Sequence, residues 1–317
     1  MKKLFLLGAM VCLSVLLNAC TKTEENNTAS NDTITNDNEE VVDGRLPGVF
    51  SISSTTRVRF SKGNLQYNAS QNIWRFAERQ YDYVGEGNRR IAVNYNGWID
   101  FFGWGTSGWY SGANCYEPWS ASTNNADYLV GGSSDYNLDG DYAWSDWGVF
   151  NTISNSKEGI EWRTLSEHEW TVLLSSDDSW EESLAVRANK AGLATLQIAD
   201  SIFYGLVLLP DEWHSPEDIS FSPGTFTASF DDNVYNANQW GKMENNGAVF
   251  FVASGYRYGG NINKEKEWGC YWTSTAVKGL LNSKYCAKEL MIRYHHIGIS
   301  TTGRSCGSSV RLVTEDL

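Results

Sequence analysis

Apolar and polar residues alternate in two neighbouring segments in the first third of the chain. The segments are VRFSKGNLQYN and IWRFAERQYDYVG, and the polar stretch NASQN connects them. Alternation with a period of two places every second side chain on the same face of a β-strand. The pattern therefore predicts a β-hairpin with its turn at NASQN.

A helical period replaces this alternation in two later segments. In WSDWGVFNTIS, Trp147, Phe150 and Ile153 fall on one helical face, and Ser145 precedes them as a candidate N-cap. In EWRTLSEHEWTVLLSS, a serine and a glutamate have the spacing of a capping box, which predicts the start of a short helix. The residues of this box and of the buried stripe behind it are Ser166, Glu169, Trp170, Leu173 and Leu174.

The remaining patterns predict short elements of both kinds. SWEESLAVRANKAG and NANQWGKMENN predict helical pieces, and YGLVLLP predicts a buried strand that ends at Pro210. Residues 248–253 predict another buried strand, and YWTSTA, KYCAKELMIRYHH and SSVRLVTE are three strand candidates near the C-terminus. Short helices among many short strands and long loops predict one α+β domain with small antiparallel sheets.

The first 19 residues have the pattern of a signal peptide. MKKLFLLGAMVCLSVLLNAC begins with two lysines, continues with an apolar run too short to span a bilayer, and ends at Cys20. The ending LLNAC resembles a bacterial lipobox, although Asn18 stands where a smaller residue is more usual. That resemblance implies that Cys20 carries a lipid, which anchors a protein without a membrane-spanning helix. An ordinary signal peptide that is cleaved nearby is the alternative.

The segment that follows has the composition of a disordered chain. Residues 21–46 contain seven acidic residues, two basic ones and no aromatic. Such a segment buries too little apolar surface to offset its conformational entropy. We therefore expect a disordered acidic tether over residues 20–46 and a single domain over residues 47–317.

The charge balance excludes one class of ligand. The chain has 25 Lys and Arg against 38 Asp and Glu, and removal of the two signal lysines leaves a net charge of −15. A protein without a basic stripe cannot displace counterions from phosphates, so we expect no nucleic-acid partner. The same charge disfavours docking of the body on anionic lipid, so the expected membrane contact is the N-terminal lipid alone.

Several motifs together carry a family resemblance. WRTLSEHEW resembles a helix start of the sulfatase-modifying-factor (formylglycine-generating enzyme) group, and GCYWTSTA with GRSCGSSVRLV resembles the ending of the Fibrobacter succinogenes major paralogous domains. VRFSKGNLQY and GWIDFFGWGTSGW resemble segments of Bacteroidetes lipoproteins of this type, and KTEENN resembles their acidic surface-export signal. The resemblance covers most of residues 50–314. It implies a loop-rich C-type-lectin-like fold on a surface-exposed protein of the bacterial outer membrane.

The stretch GWIDFFGWGTSGWYSGANCYEPW places four tryptophans among glycines and serines. In a loop-rich fold, large aromatic side chains fill the space between irregular segments, and we expect this role for Trp98 and Trp104. Trp109 and Trp119 lie among small polar residues, and Glu117 lies beside Trp119. Binding sites combine aromatic rings with a few polar groups, so Trp109, Glu117 and Trp119 form a candidate carbohydrate-stacking face.

A second candidate site is the acidic loop DYNLDGDYAWSD. Its oxygen-bearing side chains have the spacing of an EF-hand or dockerin calcium loop, with a glycine at the sharp turn. The candidate ligands are Asp135, Asn137, Asp139, Asp141 and Asp146. The alternative is a solvated acidic turn that leads into the following helix, because no helix pattern precedes the loop.

The cysteines leave two interpretations open. Cys115, Cys270, Cys286 and Cys306 form an even set in an exported chain, which permits disulfides, while a domain of this length also folds with free thiols. The formylglycine-generating enzymes use a closely spaced cysteine pair near the C-terminus, and this chain has no matching pair. We therefore expect a non-catalytic, lipid-anchored binding protein for a glycan or a protein. The alternatives are a pilus-type or adhesin-type structural component and, less favoured, a sulfatase-modifying-factor-like enzyme.

Overall fold

The computed structural model describes residues 43–175, 184–225, 227–279 and 284–316. A compact unit spans Glu40–Leu317, while the unit Met1–Glu39, which contains Cys20, lies outside the described residues. Residues 43–46, predicted as the end of the tether, pack on the body. The side chain of Leu46 is buried, and its backbone N–H donates to the carbonyl of Phe60 at 2.8 Å. The folded body therefore begins before residue 47.

Seventeen short strands are distributed over five small sheets in the part of the chain that the structure describes. The strands are β1 (Phe50–Ser51), β2 (Arg57–Phe60), β3 (Leu65–Asn68), β4 (Ile73–Phe76), β5 (Trp98–Ile99), β6 (Arg163–Thr164), β7 (Ala191–Ile198), β8 (Ser201–Leu208), β9 (Val234–Asn236), β10 (Val249–Val252), β11 (Tyr256–Tyr258), β12 (Asn261–Asn263), β13 (Trp268–Ala276), β14 (Cys286–Arg293), β15 (His296–Gly303), β16 (Cys306–Gly307) and β17 (Leu312–Glu315).

The sheet orders are β1-β2-β17-β6, β10-β8-β7-β9, β12-β11-β16, β13-β14-β15 and β4-β3-β5. Among these described pairs, β7 and β9 run parallel and the others antiparallel. The predicted hairpin is confirmed as β3–β4, with Tyr67 opposite Trp74. The preceding segment VRF forms β2, which pairs with the C-terminal β17 instead. The fold is α+β, with several small sheets and few helices.

The described residues also form five short 3₁₀ helices and three short α-helices, and the α-helices are α1 (Trp147–Phe150), α2 (Glu167–Leu173) and α3 (Ala237–Asn245). The predicted capping box is confirmed at α2, where Ser166 and Glu169 bond reciprocally. The N-cap of α1 is Asp146, whose carboxylate accepts from the N–H of Gly148 at 2.9 Å, and the predicted Ser145 is wrong, because Ser145 ends the preceding 3₁₀ helix.

Two expectations about helices need correction. The segment SWEESLAVRANKAG does not form one helix in its described part: it contains a 3₁₀ turn over Ala185–Arg187 and then enters β7, while residues 176–183 lie outside the described residues. The helix α1 ends at Phe150, so the predicted shared face is not formed: Trp147 and Ile153 are buried, whereas Phe150 is exposed.

Aromatic side chains form much of the core beneath the loops. Trp74, Phe102, Trp104, Trp147 and Trp272 belong to one buried cluster, which joins the β3–β4 hairpin to β13. Each large aromatic side chain removes about 150–250 Å² of surface from water on burial, so a few rings hold long irregular segments in place. No helix within the described ranges is long and apolar enough to cross a membrane.

Candidate functional site

A continuous run of aromatic rings lies at the protein surface on the loops between β5 and β6. We define the aromatic surface as the side chains of Trp109, Tyr136, Tyr142, Trp144 and Phe150. The ring centroids of neighbouring members lie close together along the strip. The distances are 6.1 Å for Phe150–Trp144, 5.9 Å for Trp144–Trp109, 6.4 Å for Trp109–Tyr142 and 4.4 Å for Tyr142–Tyr136. The rings therefore touch in sequence and form one apolar strip.

The strip is open to solvent although its rings are large and apolar. Trp144 is 56% exposed, Tyr136 is 42% exposed and Phe150 is 41% exposed, while Trp109 and Tyr142 are partly buried beside them. A single exposed aromatic ring on a protein surface is ordinary, whereas a contiguous exposed patch is typical of a site that contacts another molecule.

Hydrogen bonds to loop backbone hold the tryptophans of the strip. The hydroxyl of Ser107 donates to the carbonyl of Trp144 at 2.6 Å, and the amide of Asn151 donates to the carbonyl of Ser107 at 2.9 Å. The N–H of Gly108 also donates to the carbonyl of Tyr116 at 2.8 Å. These bonds tie the loop of Trp109 to the loop of Trp144, so the two rings meet in a fixed arrangement.

Glycine is required where the backbone passes under Tyr142. Gly131 has a φ of +61°, and a Cβ atom at this position would lie 2.4 Å from atoms of the Tyr142 ring. Real Cβ contacts do not approach this closely, and the left-handed conformation disfavours other residues as well. The position of Tyr142 in the strip therefore depends on the absent side chain of Gly131.

The predicted face of Trp109, Glu117 and Trp119 is not assembled. Trp109 belongs to the aromatic surface, whereas the ring of Trp119 stacks on Tyr67 with centroids 6.1 Å apart and packs on the buried cluster. Glu117 accepts a hydrogen bond from the hydroxyl of Ser120 at 3.2 Å, within its own turn. Among the ring contacts of the described residues, no contact joins Trp109 to Trp119.

The two other tryptophans of the segment GWIDFFGWGTSGWYSGANCYEPW, Trp98 and Trp104, differ in burial. Trp104 is completely buried, its indole N–H donates to the carbonyl of Thr273 at 2.9 Å, and the guanidinium of Arg304 lies 4.4 Å from its ring centroid. The predicted core role of Trp104 is confirmed. Trp98 is only partly buried, with the guanidinium of Arg75 at 3.8 Å from its ring centroid.

The five predicted calcium ligands do not converge on one point. Asp146 is buried and accepts hydrogen bonds from the N–H groups of Gly148 at 2.9 Å and Thr164 at 2.8 Å, so it faces the interior. Burial raises the pKa of Asp146 to about 6. The prediction that Asp146 closes the loop is wrong, because its carboxylate instead serves as the cap of α1.

The other predicted ligands have different neighbours. The side-chain oxygen of Asn137 accepts from the N–H of Ala276 at 3.0 Å, and its amide donates to Asp139 at 3.1 Å. Asp135 accepts from the hydroxyl of Ser134 at 2.9 Å, and Asp141 is exposed. Over the ranges that the structure describes, no group of three or more His, Cys, Asp or Glu side chains is placed to hold a metal ion. The acidic-turn interpretation accounts for these contacts.

A groove continues from one end of the aromatic surface. Its volume is about 1090 Å³, and Phe150 belongs both to its lining and to the aromatic strip. Polar and apolar side chains line the rest of this groove, among them Asn151, Glu161, Arg163, Val149, Ile160 and Trp162. A long ligand that lies on the rings can therefore continue into a depression of mixed polarity.

Four of the five rings are not predicted as site residues from the sequence. Tyr136, Tyr142 and Trp144 lie in the segment whose spacing predicts a calcium loop. The helical period places Phe150 on one helical face with Trp147. The available signal was the one that identified Trp109: aromatic residues without any helical or strand period, among glycine, serine and aspartate. Such a segment cannot bury all its rings in a regular element.

The cysteines lie in environments that favour the neutral thiol. Burial raises the pKa of Cys306, and it raises the pKa of Cys115 and of Cys286. Cys270 is almost completely buried, and burial raises its pKa well above the ordinary value. Reactive thiols need a lowered pKa, because the thiolate is the nucleophile. The direction of these shifts is the opposite of the one that a thiol-dependent enzyme requires.

Comparison of the chain with known protein families, with curated proteins and with solved structures finds no match.

Proposed function

We propose that the protein is a lipid-anchored cell-surface protein whose C-type-lectin-like domain binds glycan chains on the aromatic surface without catalysing a reaction. The observation that carries this proposal is the exposed run of five rings, in which Trp144 is more than half exposed. Sugar rings have apolar C–H faces and polar edges, so they suit a strip of aromatic rings with polar neighbours.

The arrangement of the rings favours an extended ligand. The successive contacts run from Tyr136 to Phe150, and the groove of about 1090 Å³ begins at Phe150. Rigid aromatic anchors lose little conformational entropy on binding, because each side chain has only two rotatable angles. A flexible chain of several sugar units can engage several anchors at once, which raises its affinity above that of a single unit.

The proposed location follows from the N-terminal sequence. The signal peptide over residues 1–19, Cys20 in a lipobox-like context and the acidic segment up to residue 42 support a lipid anchor with a spacer. The resemblance to Bacteroidetes lipoproteins supports the outer membrane, with the binding domain exposed to solvent. The small sheets joined by long loops support the C-type-lectin-like assignment.

The proposal is tested by glycan-array binding of the full chain, purified in detergent. The variants are Trp144→Ala and, as a matched control, Tyr258→Ala, which removes a ring that is 46% exposed on β11. We expect Trp144→Ala to weaken glycan binding at least about tenfold, which corresponds to about 1.4 kcal/mol. Tyr258→Ala should bind as the unmodified protein does. Absence of binding to any glycan would contradict the proposal, and binding of a protein partner through the same rings would replace it.

A further inference from the structure

The aromatic surface lies within a stretch of the chain that has no basic residue. Residues 91–156 contain all five rings and include no Lys, Arg or His. Seven acidic residues lie in the same stretch, and two of them, Asp100 and Asp146, are buried. The acidic side chains that remain are Glu117, Asp127, Asp135, Asp139 and Asp141. The exposed charges within this stretch are therefore all negative. A buried cation from outside the stretch lies beside one of them, because the guanidinium of Arg304 donates to the carbonyl of Ser134, next to Asp135, at 2.7 Å.

Three exposed carboxylates belong to the same loop as the rings. Asp135 directly precedes Tyr136, Asp141 directly precedes Tyr142, and Asp139 lies between the two tyrosines. Partial desolvation, the neighbouring Tyr136 hydroxyl and, least of the three, the carboxylate of Asp141 raise the pKa of the Tyr142 hydroxyl. A ligand that lies on Tyr136 and Tyr142 therefore passes through a negative potential.

The groove beyond Phe150 does not reverse this potential. Two of the basic residues in its lining are paired with acidic partners: Arg163 with Glu169 at 2.8 Å, and Arg45 with Asp43. Lys157 also lines the groove, together with four carboxylate side chains. These four are Glu158, Glu161, Glu315 and Asp316. Two of the four are themselves ion-paired, Glu315 with Arg163 at 3.8 Å and Asp316 with Arg59 at 2.6 Å. The groove therefore adds no net positive charge next to the rings.

Rings and carboxylates together favour a cation. The face of an aromatic ring attracts a positive charge, most strongly in tryptophan, and nearby carboxylates add a Coulombic attraction. A polyanion would meet repulsion at the same positions, and a neutral chain would gain only from stacking. Charge complementarity thus separates three classes of glycan that the rings alone would not distinguish.

We infer that the aromatic surface selects glycans that carry free amino groups, such as chains of amino sugars without N-acetyl groups. This inference rests on the proposed function, since it assumes that the rings bind a glycan. It adds a ligand class: the amines pair with Asp135, Asp139 and Asp141 while the sugar faces stack on the rings. Glycans rich in uronic acids or sulfate are excluded.

The inference is tested with three hexasaccharides of equal length: a glucosamine hexamer, an N-acetylglucosamine hexamer and a uronic acid hexamer. Binding to the full chain in detergent is measured at mildly acidic pH, where the amines are protonated. Each affinity is measured at an ionic strength of about 0.01 M and again at about 0.15 M. The electrostatic screening length is about 30 Å at the lower salt concentration and about 8 Å at the higher one. We expect the amino hexamer to bind about tenfold more tightly than the N-acetylated one at low salt, with a smaller preference at high salt.

A pair of variants isolates the charge from the rings. Asp139→Asn with Asp141→Asn should remove most of the preference for the amino hexamer and leave binding of the N-acetylated hexamer unchanged. The matched control is Glu217→Gln with Asp231→Asn. These two exposed acidic residues precede β9, and their substitution removes the same amount of charge away from the rings. The control should retain the preference. An equal loss of the preference for the amino hexamer in the test variant and in the control variant would overturn the inference.

The outcomes separate this inference from the proposed function. If the N-acetylated hexamer binds as tightly as the amino hexamer, the inference is overturned while glycan binding stands. If the uronic acid hexamer binds best, the inference is likewise overturned. If none of the three binds, both proposals are contradicted. If an oligolysine of the same charge binds as tightly as the amino hexamer, the surface recognises cationic peptides, and the glycan class inferred here is wrong.

Discussion

Trp109 and Trp144 meet edge to face, with ring centroids 5.9 Å apart and planes at 84°. The two rings belong to different loops, which the Ser107 hydroxyl joins by its bond to the carbonyl of Trp144. Edge-to-face pairs of this kind contribute about 0.5–1.5 kcal/mol beyond the area that they bury. The contact therefore orders the centre of the aromatic surface while most of Trp144 stays open to solvent.

Replacement of single tryptophans by alanine should lower the free energy of unfolding strongly at buried positions and only slightly at exposed ones. Trp104→Ala should lower the free energy of unfolding by about 3–5 kcal/mol, because it empties a buried site in the aromatic core. Trp119→Ala should cost about 1–3 kcal/mol, because its partly buried ring stacks on Tyr67. Trp144→Ala should cost at most about 1 kcal/mol. Denaturant unfolding measures all three, and a cost for Trp144→Ala equal to that of Trp104→Ala would place Trp144 in the core.

The loop under Tyr142 offers a matched pair of glycine substitutions. Gly131 and Gly132 both have positive φ, of +61° and +70°, but a Cβ at Gly132 has no heavy atom within 4 Å. Gly132→Ala should cost about 1–2 kcal/mol for the left-handed backbone alone. Gly131→Ala should cost a further ~1–3 kcal/mol, because its Cβ collides with the Tyr142 ring.

The same pair of variants also affects binding. Gly131→Ala displaces Tyr142 and should weaken glycan affinity, whereas Gly132→Ala should leave it close to that of the unmodified protein. Denaturant unfolding and glycan titration of both variants provide the comparison. Equal losses of affinity in the two variants would mean that Tyr142 takes no part in binding.

The buried carboxyl of Glu289 predicts how stability changes with pH. Burial raises its pKa from 4.5 to about 8, while the hydroxyl of Ser308 donates to it at 3.2 Å. Between these two pKa values the folded protein holds a proton that the unfolded chain has released, so stability falls as pH rises through this window. Each unit of pKa difference corresponds to about 1.4 kcal/mol.

The variant Glu289→Gln tests this assignment. Glutamine has nearly the same shape and no charge, so it should flatten the decline of the unfolding free energy between pH 4.5 and about 8. Asp100 and Asp146, whose pKa values burial raises to about 6, should leave a smaller decline at the lower end of the window. An unchanged pH profile in Glu289→Gln would show that another group is responsible.

Local patterns in the sequence predicted the elements that depend on neighbouring residues. The capping box of Ser166 and Glu169 and the β3–β4 hairpin at Tyr67 and Trp74 involve residues close together in the chain. The alternation and the cap are therefore readable from adjacent residues alone. For the same reason, the coarse α+β class was predictable.

The candidate site was less predictable because tertiary contacts decide it. Asp146 looked like a metal ligand by its spacing, but Thr164, which lies 18 residues further along the chain, takes up its second oxygen. Trp109 and Trp119 both lie among small polar residues, and a contact across the chain, the stacking of Trp119 on Tyr67, accompanies the inward packing of Trp119. A glycine-rich loop has no helical or strand period, so its sequence does not predict which ring faces solvent.

The central claim is that glycans bind on the rings of the aromatic surface. It is tested most directly by the indole N–H signals of the ¹⁵N-labelled protein, whose 14 tryptophans are assigned by single Trp→Phe variants. Trp104 and Trp272 donate their indole N–H groups to buried carbonyls and serve as internal controls. During titration with the hexasaccharide that binds most tightly, we predict that the signals of Trp109 and Trp144 move and saturate while those of Trp104 and Trp272 stay in place. Saturable binding that leaves the signals of Trp109 and Trp144 unmoved would contradict the claim.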